Sequence, residues 1–522
     1  MTTLLTKKIG LLSAAPNGPQ LVRALVLDLA VRGRLTQPQV GDDQATDLLL
    51  QITRAREALV AAGDLKFKVL PALKRDGAPF QLPTHWVWAR LGEITNYGAT
   101  TKADAIPDDA WLLDLEDIEK DTSRLLRRVS FFERGSLSDK NAFKAGDLLY
   151  CKLRPYLNKV IVADHDGYCT TEILPVRCYG NWVPQYFKLA LKSPYFLAYV
   201  NEKSYGMKMP RLGTDDGRMA AFPLPPLAEQ HRIVAKVDEL MALCDRLEAR
   251  QQDAEAAHER LVKVLLDGLT RARDAEEFQA GWQRVAEQFS DLATTDTSLD
   301  ALRAAVLELA FQGRLTADGL NEPWQRVKLG SVAKLINGDR GSNYPNRSEY
   351  VSEGIAFINT GHINPDGSLD LDAMHYLTRE KFESLRSGKI EPDDLVYCLR
   401  GATLGKTAFV RPFTEGAIAS SLVILRFAKV VLPEFAYYFL VSPQGRRWIW
   451  KFDNGSAQPN LAASSVREYE IPLPSLDEQR QVVTRVTELL ALCDQLKARI
   501  KAARAKQAQL AEVLVAQAVA AA

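Results

Sequence analysis

Two stretches of the chain place apolar side chains at alternating spacings of four and three. The first runs through Ile233, Val237, Leu240, Cys244 and Leu247, and its frame continues through Gln251, Ala254, His258, Leu261 and Leu265. The second runs through Val482, Val486, Leu489, Cys493 and Leu496, then Ile500, Ala503, Gln507, Leu510 and Leu514. Charged residues occupy the other faces, so each stretch reads as a long amphipathic helix with a heptad seam. Pro225-Pro226 sets the start of the first, and Ser475 with Glu478 forms a capping box for the second. Each helix should run about 40 residues, or about 60 Å. A stripe of that length needs a partner, and the other copy is the natural one, parallel or antiparallel. Shorter helical patterns cover 45–60, 275–289 and 298–312. Between the helical regions lie short strand-like runs, such as 147–150, 160–163 and 419–427, punctuated by Gly and Pro. They predict compact α/β or α+β domains near 140–150 residues.

The helical elements are copies of one another. Residues 223–250 and 472–499 are identical at 17 of 28 positions at a constant offset of 249. Residues 22–36 (VRALVLDLAVRGRLT) match 302–316 (LRAAVLELAFQGRLT) at 10 of 15 positions at an offset of 280. Weaker echoes join Trp86 to Trp324, Leu91-Gly92 to Leu329-Gly330, Asp147 and Tyr150-Cys151 to Asp394 and Tyr397-Cys398, and Pro184, Ser193 and Pro194 to Pro433, Ser442 and Pro443. The order is a short helical element, a divergent domain and a long helix, and then the same again. Two like scaffolds therefore carry two unlike domains.

Composition narrows the class. The 522 residues are 47% hydrophobic and 25% charged, as in soluble globular proteins. Lys+Arg number 66 against 65 Asp+Glu, a net charge of +1, which excludes a polybasic or acidic tail protein but not local phosphate-binding patches. Six cysteines without a CxxC give no disulfide framework and no zinc ribbon. Lys7 and Lys8 precede an apolar stretch that breaks at Pro16-Asn17-Gly18-Pro19, too short for a signal peptide, and no run approaches a membrane span. A reduced, cytoplasmic location without a membrane partner is expected.

Catalytic motifs are missing. Gly401–Thr407 has three residues between its glycines where a Walker A loop needs four, so it reads as a turn between strands. There is no HExxH, no metal-spaced His/Cys set, no NPPY-type or DPPY-type tetrapeptide and no Gly-rich methyl-donor loop. The acidic run from Asp104 to Asp121 reads as a solvated loop rather than a metal site. Cys244 and Cys493, at the same seam position, read as small buried hydrophobes. Charge is locally positive: eleven Lys/Arg against five Asp/Glu over 140–211, and twelve against seven over 379–451, with Tyr and Trp interleaved. Such stretches are solvated surface more often than not, and they also suit a surface that meets phosphates and base edges.

The repeated PLPPLAEQxxIV…CDxLEA segment and the doubled LxLAxxGRLT element resemble the conserved regions of Type I restriction–modification specificity (S) subunits. The resemblance covers essentially the whole chain. It implies an α+β protein with an internal pseudo-twofold repeat, in which two α/β target recognition domains are separated by long helices that pair as a coiled coil. The implied segments are an N-terminal helical region (1–84), a first recognition domain (85–226), a central helical spacer (227–320), a second recognition domain (321–475) and a C-terminal helical region (476–522). The implied function is sequence specificity. Each recognition domain reads one half of a split, asymmetric site in double-stranded DNA, while the helices set the spacing and dock two methyltransferase subunits. The chain itself is expected to be non-catalytic and to bind no cofactor. S-adenosylmethionine belongs to the methyltransferases, and ATP with magnesium to a motor–nuclease partner. The alternative is a non-catalytic assembly scaffold with degenerate DNA readers. Candidate DNA contacts are Lys152, Arg154, Tyr156, Asn158, Lys159, Lys208 and Arg211 in the first domain, and Arg340, Asn343, Tyr344, Arg400, Thr403, Lys406, Gln458 and Asn460 in the second. Arg suits guanine, and Asn or Gln suits adenine.

Overall fold

The computed structural model describes residues 12, 15–73, 78–97, 100–316, 324–452 and 460–520. Lys7, Lys8 and Gln458 lie outside them. The chain folds into two compact units, residues 1–252 with 504–522, and residues 253–503. These units cut across the five linear segments read from the sequence. Each contains one divergent domain, one copy of the GRLT helix and parts of both long helices.

The long helices span Leu227–Thr270 and Leu476–Ala520, 44 and 45 residues. The capping box of the second forms as expected: Glu478 N donates to Ser475 Oγ at 3.3 Å and Ser475 N to the Glu478 carboxylate at 2.9 Å. In the first unit Ile233, Val237 and Cys244 share a core with Ala511 and the partly buried Leu240, Leu514 and Val515. In the second, Val262, Leu266 and Leu269 share a core with Cys493, Leu496 and Ile500. Each unit thus joins the start of one long helix to the end of the other, which selects the antiparallel sense.

The seam steps by one residue along both helices. Leu261 and Leu510 are exposed, and their neighbours Val262 and Ala511 are buried instead. A straight α-helix drifts about 20° per heptad away from a seven-residue repeat, so after four heptads the following residue has rotated onto the original face. The half-buried Leu247 and Leu489 mark the drift before the step.

Each divergent domain has a central strand buried on both faces. Leu148–Cys151 sends Leu148 and Tyr150 into one core and Leu149 and Cys151 into another. Leu395–Cys398 does the same with Leu395 and Tyr397 against Val396 and Cys398. Alternate side chains point to opposite faces, so a strand between two cores must be apolar throughout. In the first domain this strand lies in an antiparallel sheet ordered 95–97, 173–178, 148–151, 160–162. The second repeats the arrangement as 333–337, 422–427, 395–398, 407–409. A further four-stranded mixed sheet completes each domain, with 112–113 parallel to 167–170 in the first and 355–358 parallel to 416–418 in the second. A two-stranded pair closes each domain, 87–90 with 221–224 and 326–328 with 470–472.

The repeated residues are those that join domain to scaffold. Gly33 and Gly313 take the left-handed conformation that ends each GRLT helix, and a side chain on Gly33 would run into Pro83 and Trp86. Glu229 is fully buried and accepts from Thr36 Oγ1, His85 Nε2 and Trp86 Nε1 at 2.8, 2.8 and 2.9 Å. Gln230 and its counterpart Gln479, both fully buried, accept from the backbone N–H of Val183 and Leu432 and donate to Pro225 O and Pro474 O. Gly92 and Gly330 lie against the Cβ atoms of Arg218 and Arg467, where an added methyl group would clash.

Other expectations also meet their structure. The patterns at 45–60, 275–289 and 298–312 become helices Ala45–Ala61, Ala275–Glu287 and Asp296–Ala310. Gly401–Thr403 is a single 3₁₀ turn between strands. All six cysteines are free and buried, and burial pushes the Cys244 and Cys493 thiols up. The acidic run is not simply a solvated loop. Asp117 is buried and ion-paired to Arg127 at 2.7 Å and to Arg134, with Glu116 beside it 2.8 Å from Arg134.

Candidate nucleic-acid interface

In each domain the central strand leads into a loop, and a later chain segment crosses that loop by backbone pairing. In the first domain Leu153 bridges Arg211, and Leu212 N donates to Lys152 O at 2.9 Å. In the second Arg400 bridges Asn460, and Leu461 N donates to Leu399 O at 2.8 Å. The repeat offsets make these the same place in both domains, occupied by different side chains.

In the second domain this place is a cleft of about 570 Å³ lined by Leu335, Asn337, Arg340, Arg400, Asn460 and Arg467, among others. Arg340, Arg400 and Arg467 are exposed, and among the described residues none of the three is ion-paired. The loop carrying Arg340 is held by the buried Asp339, which accepts from the backbone N–H of Gly341 and of Arg386, each at 2.8 Å. Those two bonds lower the Asp339 pKa. Its charge therefore anchors the loop and leaves the arginine free. Three unpaired guanidinium groups with two carboxamides suit an anionic, hydrogen-bonding surface such as a nucleic-acid backbone and its base edges.

The expected residues divide into two groups. Arg340, Arg400 and Asn460 come together at the cleft. Asn343, Tyr344, Thr403 and Lys406 do not join it. Asn343 Nδ2 donates to Ser384 O at 2.7 Å, and Tyr344 packs edge-on to Phe357. Thr403 Oγ1 contacts Cys398 Sγ, and Lys406 Nζ donates to Ile363 O at 3.3 Å. Arg467, Asn337 and Ser464 went unnoticed in the sequence. Arg467 had a signal, since it stands at the repeat position of Arg218.

The first domain uses several candidates to shape its loop. Asp121, Ser123, Arg154 and Asn158 all take positive φ, between 51° and 60°. Each such non-glycine residue costs about 1–2 kcal/mol. Lys192 ties this corner together, donating to Asp121 O, to Ser123 Oγ at 2.6 Å and to Asn158 O at 3.4 Å. Burial, aided by the neighbouring Lys188, pushes its ammonium down to about 8. Lys159 Nζ donates to Leu115 O at 2.8 Å. Arg211 makes a two-pronged pair with Glu172 at 2.7 and 2.9 Å. Tyr156 and Lys208 remain exposed, Lys152 is half-buried, and the Nε of Arg154 is buried without an acceptor among the described residues.

Comparison with known proteins points the same way. A family model described as the Type I restriction modification DNA specificity domain matches residues 321–503. The chain is 26% identical to the Type I restriction enzyme EcoAI specificity subunit of Escherichia coli, over 95% of this chain and 93% of that one. It is likewise 26% identical to the EcoEI specificity subunit of Escherichia coli over the same shares. Over nearly its whole length the chain is therefore similar to Type I restriction enzyme specificity subunits. A solved chain from a study of complex assembly and conformational transition in a type I R-M system superposes with a TM-score of 0.55 at 20% identity, covering 84% of this chain and 99% of that one, and so shares its fold. The region matched by the family model contains the whole arginine-lined cleft. No helix among the described residues is long and apolar enough to cross a membrane.

Proposed function

We propose that the two divergent domains read the two halves of a split, asymmetric site in double-stranded DNA, each through the place where the crossing segment meets the loop after the central strand. One observation carries this reading. The same position recurs in both domains on similarly built scaffolds, yet it presents Arg400 with Asn460 in one and Leu153 with Arg211 in the other. Like scaffolds with unlike side chains are what a non-palindromic target requires, because base edges are told apart by donor, acceptor and methyl pattern. Linking two readers in one chain raises the effective concentration for the second half-site once the first is bound.

On this reading the long helices set the gap between half-sites and offer two similar surfaces to two methyltransferase subunits. A motor–nuclease subunit completes the restricting complex. The chain acts in the cytoplasm as a non-catalytic recognition subunit. S-adenosylmethionine and ATP with magnesium are held by the partners.

The test is selection from a random duplex library by the chain co-purified with its cognate methyltransferase. Enrichment of a two-part motif with an unread gap supports the proposal. A flat bound pool from a stable complex would instead favour an assembly scaffold with degenerate readers.

A further inference from the structure

The crossing segment of the first domain ends in an apolar tip. Tyr205 N donates to Arg211 O at 3.1 Å and Arg211 N to Tyr205 O at 2.9 Å, closing residues 206–210 into a tight loop. Gly206 takes φ +99°, and a side chain there would press on Met209 O, so the turn is specified by its glycine. Arg154 N donates to Pro210 O at 2.7 Å, and the Arg211–Glu172 pair fixes the base of the loop. On this held frame Met207 is fully exposed at 104%, Met209 is 59% exposed and Tyr205 58%. Lys208 stands between the two methionines and is also exposed.

With Tyr205 the two methionines form one exposed apolar patch on a well-held loop rimmed by polar groups, the kind of surface that marks an interaction site. The cations around the tip indicate what it meets. Lys208 lies within it, and Lys152 and Arg154 flank its base, so the surface suits an anionic partner with apolar groups inside its charged rim. Arg211, the one guanidinium at the position matching Asn460, is already neutralised by Glu172. The polar reading available to the second domain is therefore replaced here by an apolar one. In the major groove of DNA the apolar feature of a base edge is the C5 methyl group of thymine.

We infer that Met207 and Met209 read a thymine methyl group in the half-site of the first domain, with Lys208 on the adjacent phosphate. This rests on the DNA-reading function proposed above. The second copy reads Ser456-Ala457-Gln458 where the first reads Met207-Lys208-Met209, so the preference belongs to one half-site only.

The test uses the complete methyltransferase complex and duplexes carrying its selected motif. Each thymine is replaced in turn by deoxyuridine, which keeps base pairing and removes only the methyl group. One position in one half-site should weaken binding about fourfold, the equivalent of one buried methyl group. The M207S/M209S complex, altered only at exposed positions, should melt as the parent does and bind the thymine and uracil duplexes equally. Lys208→Ala should keep the thymine preference and reduce the salt slope of binding by about one. A motif whose binding ignores every thymine methyl overturns the inference, as does a preference that survives in M207S/M209S. A parent complex with no sequence preference at all overturns the underlying reading, and this inference with it.

Discussion

At the scale of single residues, charge partners separate the exposed, unpaired cations from those that support the fold. Arg467, exposed and unpaired at the cleft, should act through phosphate or base edges. Arg467→Ala is expected to weaken DNA binding by the assembled complex, about tenfold or more, and to flatten its salt dependence; filter binding across a salt series measures both. Asp117 belongs to the other group. Burial by itself would raise its pKa, but hydrogen bonds from Arg134 and Arg127 outweigh burial and hold the carboxyl below the usual carboxylate range. A depressed carboxyl stabilises the fold above the unfolded pKa, and that contribution is lost as pH falls through the folded value. Asp117→Asn should therefore cost on the order of 2–3 kcal/mol at neutral pH. The gap between parent and variant should close below about pH 4, and denaturant melts across pH would show it. These roles were only half legible in the sequence. Residue type and loop position picked out Arg340, Arg400 and Asn460, but nothing local to Arg211 announced Glu172, 39 residues away. The exposed methionines were visible as letters, but their exposure depended on a loop closed by Arg211.

At the scale of elements, the alternation of four and three located both long helices, and the repeat located their partners. A periodic pattern alone cannot show where a straight helix drifts off its heptad frame. That drift explains why the stripe passes from Leu510 to Ala511. Ala511→Asp should destabilise the first unit by several kcal/mol, whereas Leu510→Asp, on the exposed neighbour, should change thermal stability little. Equal effects of the two would contradict the stepped seam. The joints between domain and scaffold were legible as repeated letters without a stated reason. Their reason lies in contacts such as Thr36 and Trp86 on Glu229, which bring together residues 193 and 143 positions apart in sequence.

At the scale of the whole molecule, duplication is the organising fact. It places like joints and like central strands in both units, while the loops after those strands carry different side chains. If the long helices are the ruler, inserting four residues near Ala254 should lengthen one helix by about 6 Å. The preferred gap between half-sites should then grow, which binding to duplexes of graded gap length would show. An unchanged gap would remove the ruler from the account. The central claim itself, that one chain supplies two different readers to a methylating complex, is tested most directly by methylation mapping. The chain and its cognate methyltransferase would be expressed in a methylation-deficient host and the genome read by single-molecule sequencing. The account predicts one split, asymmetric motif with modified adenines and an unread gap. A palindromic motif, a single undivided motif, or no motif from a complex shown to be intact would contradict it.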